Sequence, residues 1–202
     1  MNWKQTMRKA SARSALLAAC GLLMLGGCSS PTPTLYTISV VPGQVMAGGP
    51  AVVNIHDITI PRYLERPQIV RFESGNQLDV RANDWWGEPI AAMLSRVLAE
   101  ELAQRLPHSI VLGENGAINA TADATVQVDI DRLVASGPAA ATLVAHSSVS
   151  FAKSNAPPVL RSLRVETPTK DAGTTAYVAA ISVAVGQLAD SIAVTLQTGG
   201  MP

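Results

Sequence analysis

Cysteine is nearly absent: the 202 residues hold two, Cys20 and Cys28. That excludes a disulfide scaffold and a four-cysteine zinc site. No apolar run reaches the roughly 18–20 residues of a membrane-spanning helix. Charge is sparse, at 15% of residues against about 25% in an average soluble domain. Aromatic residues make up only 4%. The first 27 residues lack any acidic side chain, while holding Lys4, Arg8, Lys9 and Arg13. Without that segment the 15 basic groups fall to 11 against 15 acidic ones, a net charge of −4. A mildly acidic body excludes nucleic acid as partner, because neutralising phosphates needs a basic face. Apolar residues supply 48% of the chain, enough for a packed core and too many for disorder.

Nucleotide and hydrolase signatures are missing too. There is no Walker A loop, no Gly-x-Gly-x-x-Gly after a strand and no Gly-x-Ser-x-Gly elbow. The three histidines, His56, His108 and His146, lie far apart in the chain. A metal site needs them to converge, and ordinary surface roles are the plainer reading, so neither metal nor cofactor is expected. Glu100-Glu101, and the pair Asp129 and Asp131, read as solvated edges. No catalytic residue is expected.

What is present begins with an address. After the four positive charges, residues 15–25 form an apolar run of eleven, the n-region and h-region of a secretory signal. Leu25-Gly26-Gly27-Cys28 follows and is similar to a bacterial lipobox. Small residues before the cysteine fit a signal peptidase groove, and the thiol is the acceptor for a diacylglyceryl group. This predicts a signal peptide over 1–27 and a lipidated Cys28 with a tether over 28–34. A domain over 35–198 follows. Two or three acyl chains hold a protein stably on a membrane, at ~0.8 kcal/mol per buried CH₂. Ser29 after the cysteine, rather than Asp, favours the outer membrane, with the body in the periplasm. Ser29–Thr34 is polar, contains Pro31 and Pro33, and is stiff rather than helical.

The body reads as α+β, a single domain with a mixed or antiparallel sheet and two main helices packed on it. Strands are expected over 35–41, 51–60, 68–72, 77–82, 109–112, 124–134, 141–153 and 159–166. The last three alternate well and predict an antiparallel meander. The hairpin of 68–82 turns at Ser74-Gly75-Asn76. The first helix, to Leu106, is expected to be capped by Asn83 or Asp84, which puts Trp85 and Trp86 at its start. The second covers about Thr174–Leu196. Its stripe Tyr177, Ile181, Val185, Leu188, Ile192 and Leu196 either lies on the sheet or forms a seam with another chain, which leaves a homo-oligomer open.

Two segments hold the residue types enriched at binding hot spots. Pro61-Arg62-Tyr63-Leu64-Glu65-Arg66-Pro67 is stiff at both ends. Asn83-Asp84-Trp85-Trp86-Gly87-Glu88-Pro89 holds two of the body's seven aromatics. Arg62, Tyr63, Arg66, Trp85 and Trp86 are therefore the candidate interaction surface. A plainer reading also applies, in which one tryptophan caps the core and Arg62 or Arg66 pairs with Glu65 or Asp84. From Pro61 through Arg66-Pro67-Gln68-Ile69-Val70 and Trp86-Gly87-Glu88-Pro89 to Leu102, the chain resembles the PqiC (YmbA-like) family. These are auxiliary lipoproteins of ABC-type and MCE transport systems. Trp85 departs from the family pattern, where a polar or basic residue is more usual. The resemblance implies a non-catalytic partner of an MCE-domain protein and its permease, moving phospholipid-like molecules between membranes and supporting envelope integrity. The competing reading is a periplasmic lipid-binding module without a stable transporter partner.

Overall fold

The structure is a computed structural model that describes residues 31–72, 76–114, 118, 120–136 and 140–199. The predicted signal peptide, Cys28 and Ser29 lie outside the described residues, as do the turn residues Ser74, Gly75, Gly137 and Pro138. The described residues from Pro33 onward form one compact unit.

Eight strands and two long helices alternate along the chain: β1 (Thr34–Tyr36), β2 (Val52–Ile55), a 3₁₀ turn (Arg62–Leu64), β3 (Gln68–Phe72), β4 (Leu78–Trp86), α1 (Ile90–Arg105), β5 (Ile110–Gly113), β6 (Ala124–Ser136), β7 (Ala140–Phe151), β8 (Val159–Pro168) and α2 (Thr174–Thr198). The α+β expectation holds, with two mixed sheets. The larger orders its strands β5-β2-β6-β7-β8, and the smaller β1-β4-β3. They touch where Phe72 of β3 pairs with Ser136 at the end of β6.

β6, β7 and β8 are the predicted antiparallel meander. Alternation of Val126, Val128 and Ile130 turns these side chains toward the helices. The break near Arg132 is a bulge between Ile130 and Arg132, which re-phases the strand so that Leu133 is buried. Tyr177, Ile181, Val185, Leu188, Ile192 and Leu196 are all buried, so the α2 stripe lies in this protein's own core. α2 packs on β7, β8 and α1. Its end is closed by Gly199 in the left-handed region (φ 61°), where the backbone N–H reaches the Thr195 carbonyl.

Three expectations fail. The strand expected over 51–60 stops at Ile55, and only Thr59 beyond it makes an isolated bridge, to Asp129. The first strand ends at Tyr36 rather than Val41, because the following residues leave the sheet to cross the helices. There the Ser39 N–H donates to Ser182 Oγ at 3.1 Å and the Val41 N–H to Glu101 Oε1 at 2.8 Å. Nor do Asn83 and Asp84 cap a helix. β4 runs on to Trp86, held by parallel pairing with β1 and antiparallel pairing with β3, and α1 starts at Ile90 with Pro89 as its N-cap. Asn83, Asp84, Glu88 and Pro89 imitate a helix start; the ladder to β1, fifty residues upstream, outweighs that local signal.

Candidate functional site

The two segments singled out in the sequence meet. Gln68 pairs with Trp85 across β3 and β4, and the Trp86 N–H donates to the Pro67 carbonyl at 2.7 Å. The Gly87 N–H donates to the Tyr36 carbonyl at 2.8 Å. These bonds hold the loop before β3 against the turn before α1. Between them lies an open cleft of about 500 Å³. Ile60, Leu64, Pro67, Trp86 and Ile90 make its apolar lining, with Arg66 and Glu88 also on it. Strand alternation splits the adjacent tryptophans. Trp86 is 5% exposed and belongs to the core, while Trp85 faces the other way, half-buried, with Nε1 donating to the Ala82 carbonyl at 2.9 Å.

The cleft's charges differ in availability. Glu88 accepts from Arg96 at 2.6 Å, and Arg96 also reaches Glu100 at 3.2 Å. The hydrogen bond that Arg96 donates to Glu88 raises the pKa of its guanidinium. Asp84 is engaged by Arg81 and by the hydroxyls of Tyr36 and Thr174. Arg62, Glu65 and Arg66 are exposed and enter no ion pair among the described residues. The pairing of Arg62 or Arg66 with Glu65 or Asp84 is therefore not formed. Of the five surface candidates, Arg66 and Trp86 line the cleft; Arg62, Tyr63 and Trp85 do not. Tyr63 is half-buried and turns its ring edge-on to Phe72, with centroids 6.3 Å apart, and burial raises its phenol pKa.

Residues 36–193 match the family described as the ABC-type transport auxiliary lipoprotein component. This chain belongs to that family. Two crystal structures share its fold. One is protein XCC0632 from Xanthomonas campestris, a DUF330 protein, at 19% identity with a TM-score of 0.67; the match covers 82% of this chain and 96% of that one. The other is an uncharacterized protein at 17% identity with a TM-score of 0.66, covering 81% of this chain and 97% of that one. No curated protein matches in sequence.

In this auxiliary lipoprotein the sequence reading missed one buried cluster. Glu101 is not a solvated edge: it is fully buried, as is Arg105 one turn on. Arg105 Nε donates to Asp190 Oδ1 at 2.6 Å, and its other nitrogens reach the carbonyls of Val41, Glu101 and Gly186. Burial pushes the Glu101 carboxyl up to about 7, while the Val41 N–H and the positive charge of Arg105 pull it down. The available signal was spacing: Leu98, Glu101, Leu102 and Arg105 fall on one helix face, so a polar pair sat inside an apolar stripe.

His56 and His146 border one open cleft, which Asp129 and Ser162 also line, and His108 is not part of it. His56 follows β2 rather than lying in it, and pairs with Glu114 at 3.0 Å. His146 Nε2 donates to Asp131 Oδ2 at 2.9 Å, and its Nδ1 lies 2.8 Å from the Ser162 hydroxyl. Asp131 is thus paired rather than merely solvated. This Ser–His–Asp chain has the members of a hydrolase triad. It lies across β6, β7 and β8, with His146 and Asp131 each about half exposed, at 52% and 51%. Water there screens the charges that a buried site would stabilise, so it reads as a cross-strand polar ladder. Among the described residues no three His, Cys, Asp or Glu gather as a metal site.

Proposed function

We propose that this auxiliary lipoprotein is a non-catalytic subunit held by acylated Cys28 on the periplasmic face of the outer membrane. In this reading its cleft receives the MCE-domain protein of an intermembrane lipid transport system that supports the envelope. The observation that carries the docking role is the convergence of Pro61–Pro67 and Trp86–Pro89 on one apolar cleft, with Arg66, which enters no ion pair among the described residues, at its lip. Apolar walls beside one available guanidinium suit a protein partner's hydrophobic side chain next to a carboxylate. The wall's backbone donors are already spent: Trp86 bonds Pro67 and Gly87 bonds Tyr36, so side chains rather than strand addition make the contact. Acylation of Cys28 is supported by Leu25-Gly26-Gly27-Cys28 and by membership of a lipoprotein family, and the outer-membrane address by Ser29. ATP hydrolysis falls to a separate subunit, consistent with a chain that has no Walker motif.

The cleft's apolar lining also favours a second reading, in which it holds a lipid chain without any stable protein partner. A photo-crosslinking residue in place of Ala91, on the cleft wall, separates the two. In intact envelopes the first reading expects an adduct with an MCE-domain protein, and none from position 161 on β8. Adducts with phospholipid alone would move the second reading to first place. Equal protein adducts from both positions would overturn the site.

A further inference from the structure

One exposed row in the small sheet is left unexplained by the cleft. Leu35, Trp85 and Gln68 lie side by side across β1, β4 and β3, in register. In a sheet, residues so paired project to one face. Their neighbours Tyr36 and Trp86 pair on the opposite, core-facing side. Leu35 is 62% exposed, more than the other exposed apolar residues of the small sheet, Leu78 and Val80, and Trp85 is half-buried beside it.

The length of chain ahead of this row identifies what covers it. β1 begins at Thr34, six residues after Cys28. Fully extended, that stretch spans roughly 20 Å at most, at about 3.3–3.6 Å per residue. Pro31 and Pro33 keep it stiff. If acyl chains hold Cys28 in a membrane, β1 cannot leave the neighbourhood of that surface, and Leu35 is the next residue.

We propose that the Leu35–Trp85 row rests on the phospholipid headgroup layer of the membrane that holds Cys28. This rests on the acylation of Cys28 set out above, and goes beyond it by giving the folded body its own lipid contact. The chemistry fits. An indole whose N–H is already bonded within its own strand presents an apolar ring at a polar boundary, the position tryptophan favours in membrane interfaces. Leu35 adds exposed apolar area beside it. The body's net charge of −4 excludes a general electrostatic attraction, so the contact is local. The anchor raises the effective concentration of the surface, so a weak contact is enough to orient the body.

The test uses the full lipidated protein on phosphatidylcholine–phosphatidylglycerol vesicles, with and without lipids brominated just below the headgroup. Cleavage before Cys28 removes Trp3 and leaves two indoles, Trp85 and Trp86, of which Trp86 is buried. The expected result is a loss of roughly half the tryptophan emission with brominated lipid, the share of one interfacial indole. Trp85→Phe removes the quenchable part, and Leu35→Asp lowers the quenching while keeping both indoles. Wild-type protein that floats with the vesicles but keeps its emission overturns the contact and leaves the anchor standing. Protein that does not float overturns the anchor and the contact together.

Discussion

Arg105 of α1 donates through Nε to Asp190 Oδ1 of α2 at 2.6 Å and so joins the two helices. Asp190 is half open to water, and the arginine is 1% exposed. Arg105 also gathers carbonyls from the chain that crosses the helices, from α1 and from α2. Removing it leaves three acceptors and a carboxylate without their donor, in a hole the size of the side chain. Arg105→Ala is expected to cost about 3–5 kcal/mol, read from urea unfolding. Asp190→Asn, which keeps an acceptor oxygen, should cost only about 1 kcal/mol.

Gly43 packs directly against that guanidinium. A Cβ there would collide with the Arg105 side chain, whose hydrogen bonds to both helices prevent it from swinging aside. Gly43→Ala is expected to lower stability by about 1–3 kcal/mol, the usual cost of overpacking. Gly48→Ala, where no atom stands near but φ is +87°, isolates the backbone contribution for comparison.

Glu101 gives a pH signature. Its folded carboxyl is raised to about 7 mainly by burial, above an unfolded value near 4.5. The raised group therefore contributes stability below about pH 4.5, and that contribution is lost as pH rises through about 7. The loss is on the order of 3 kcal/mol. Glu101→Gln removes this dependence, so the stability difference between wild type and variant should shift in the variant's favour between those two pH values. An unchanged difference across that range would contradict the raised pKa.

The adjacent tryptophans should behave oppositely on truncation. Trp86→Ala opens the core beneath the cleft and is expected to cost about 3–5 kcal/mol. Trp85→Ala loses a half-exposed ring and should cost about 1 kcal/mol or less. Equal costs in urea unfolding would contradict the alternation of β4.

Where a residue's fate depends on near neighbours, the sequence displays it. The meander β6–β8 and both apolar helix stripes follow from periodicity, because one face of each is buried against the same core. Trp85 and Trp86 were legible as important and misplaced as a helix start. Their strand conformation is imposed by β1 and β3, and capping residues nearby mimic the alternative. Glu101 and Arg105 carried a readable spacing, yet their burial depends on Val41 and Gly186, which only the fold brings near. Arg66 and Trp86 were both named from composition; that they share a cleft while Tyr63 and Trp85 turn away follows from strand register, which no pattern within either segment contains.

The most direct test of the docking role is affinity capture of the full-length lipoprotein from gently solubilised envelopes, followed by mass spectrometry. Wild type is compared with Arg66→Glu and with Ala91→Trp, which fills the cleft. The expected result is an MCE-domain protein with its permease in the wild-type capture, sharply depleted in both variants while their unfolding midpoints stay near wild type. Recovery of those subunits at equal levels from all three proteins, or from none, would contradict it.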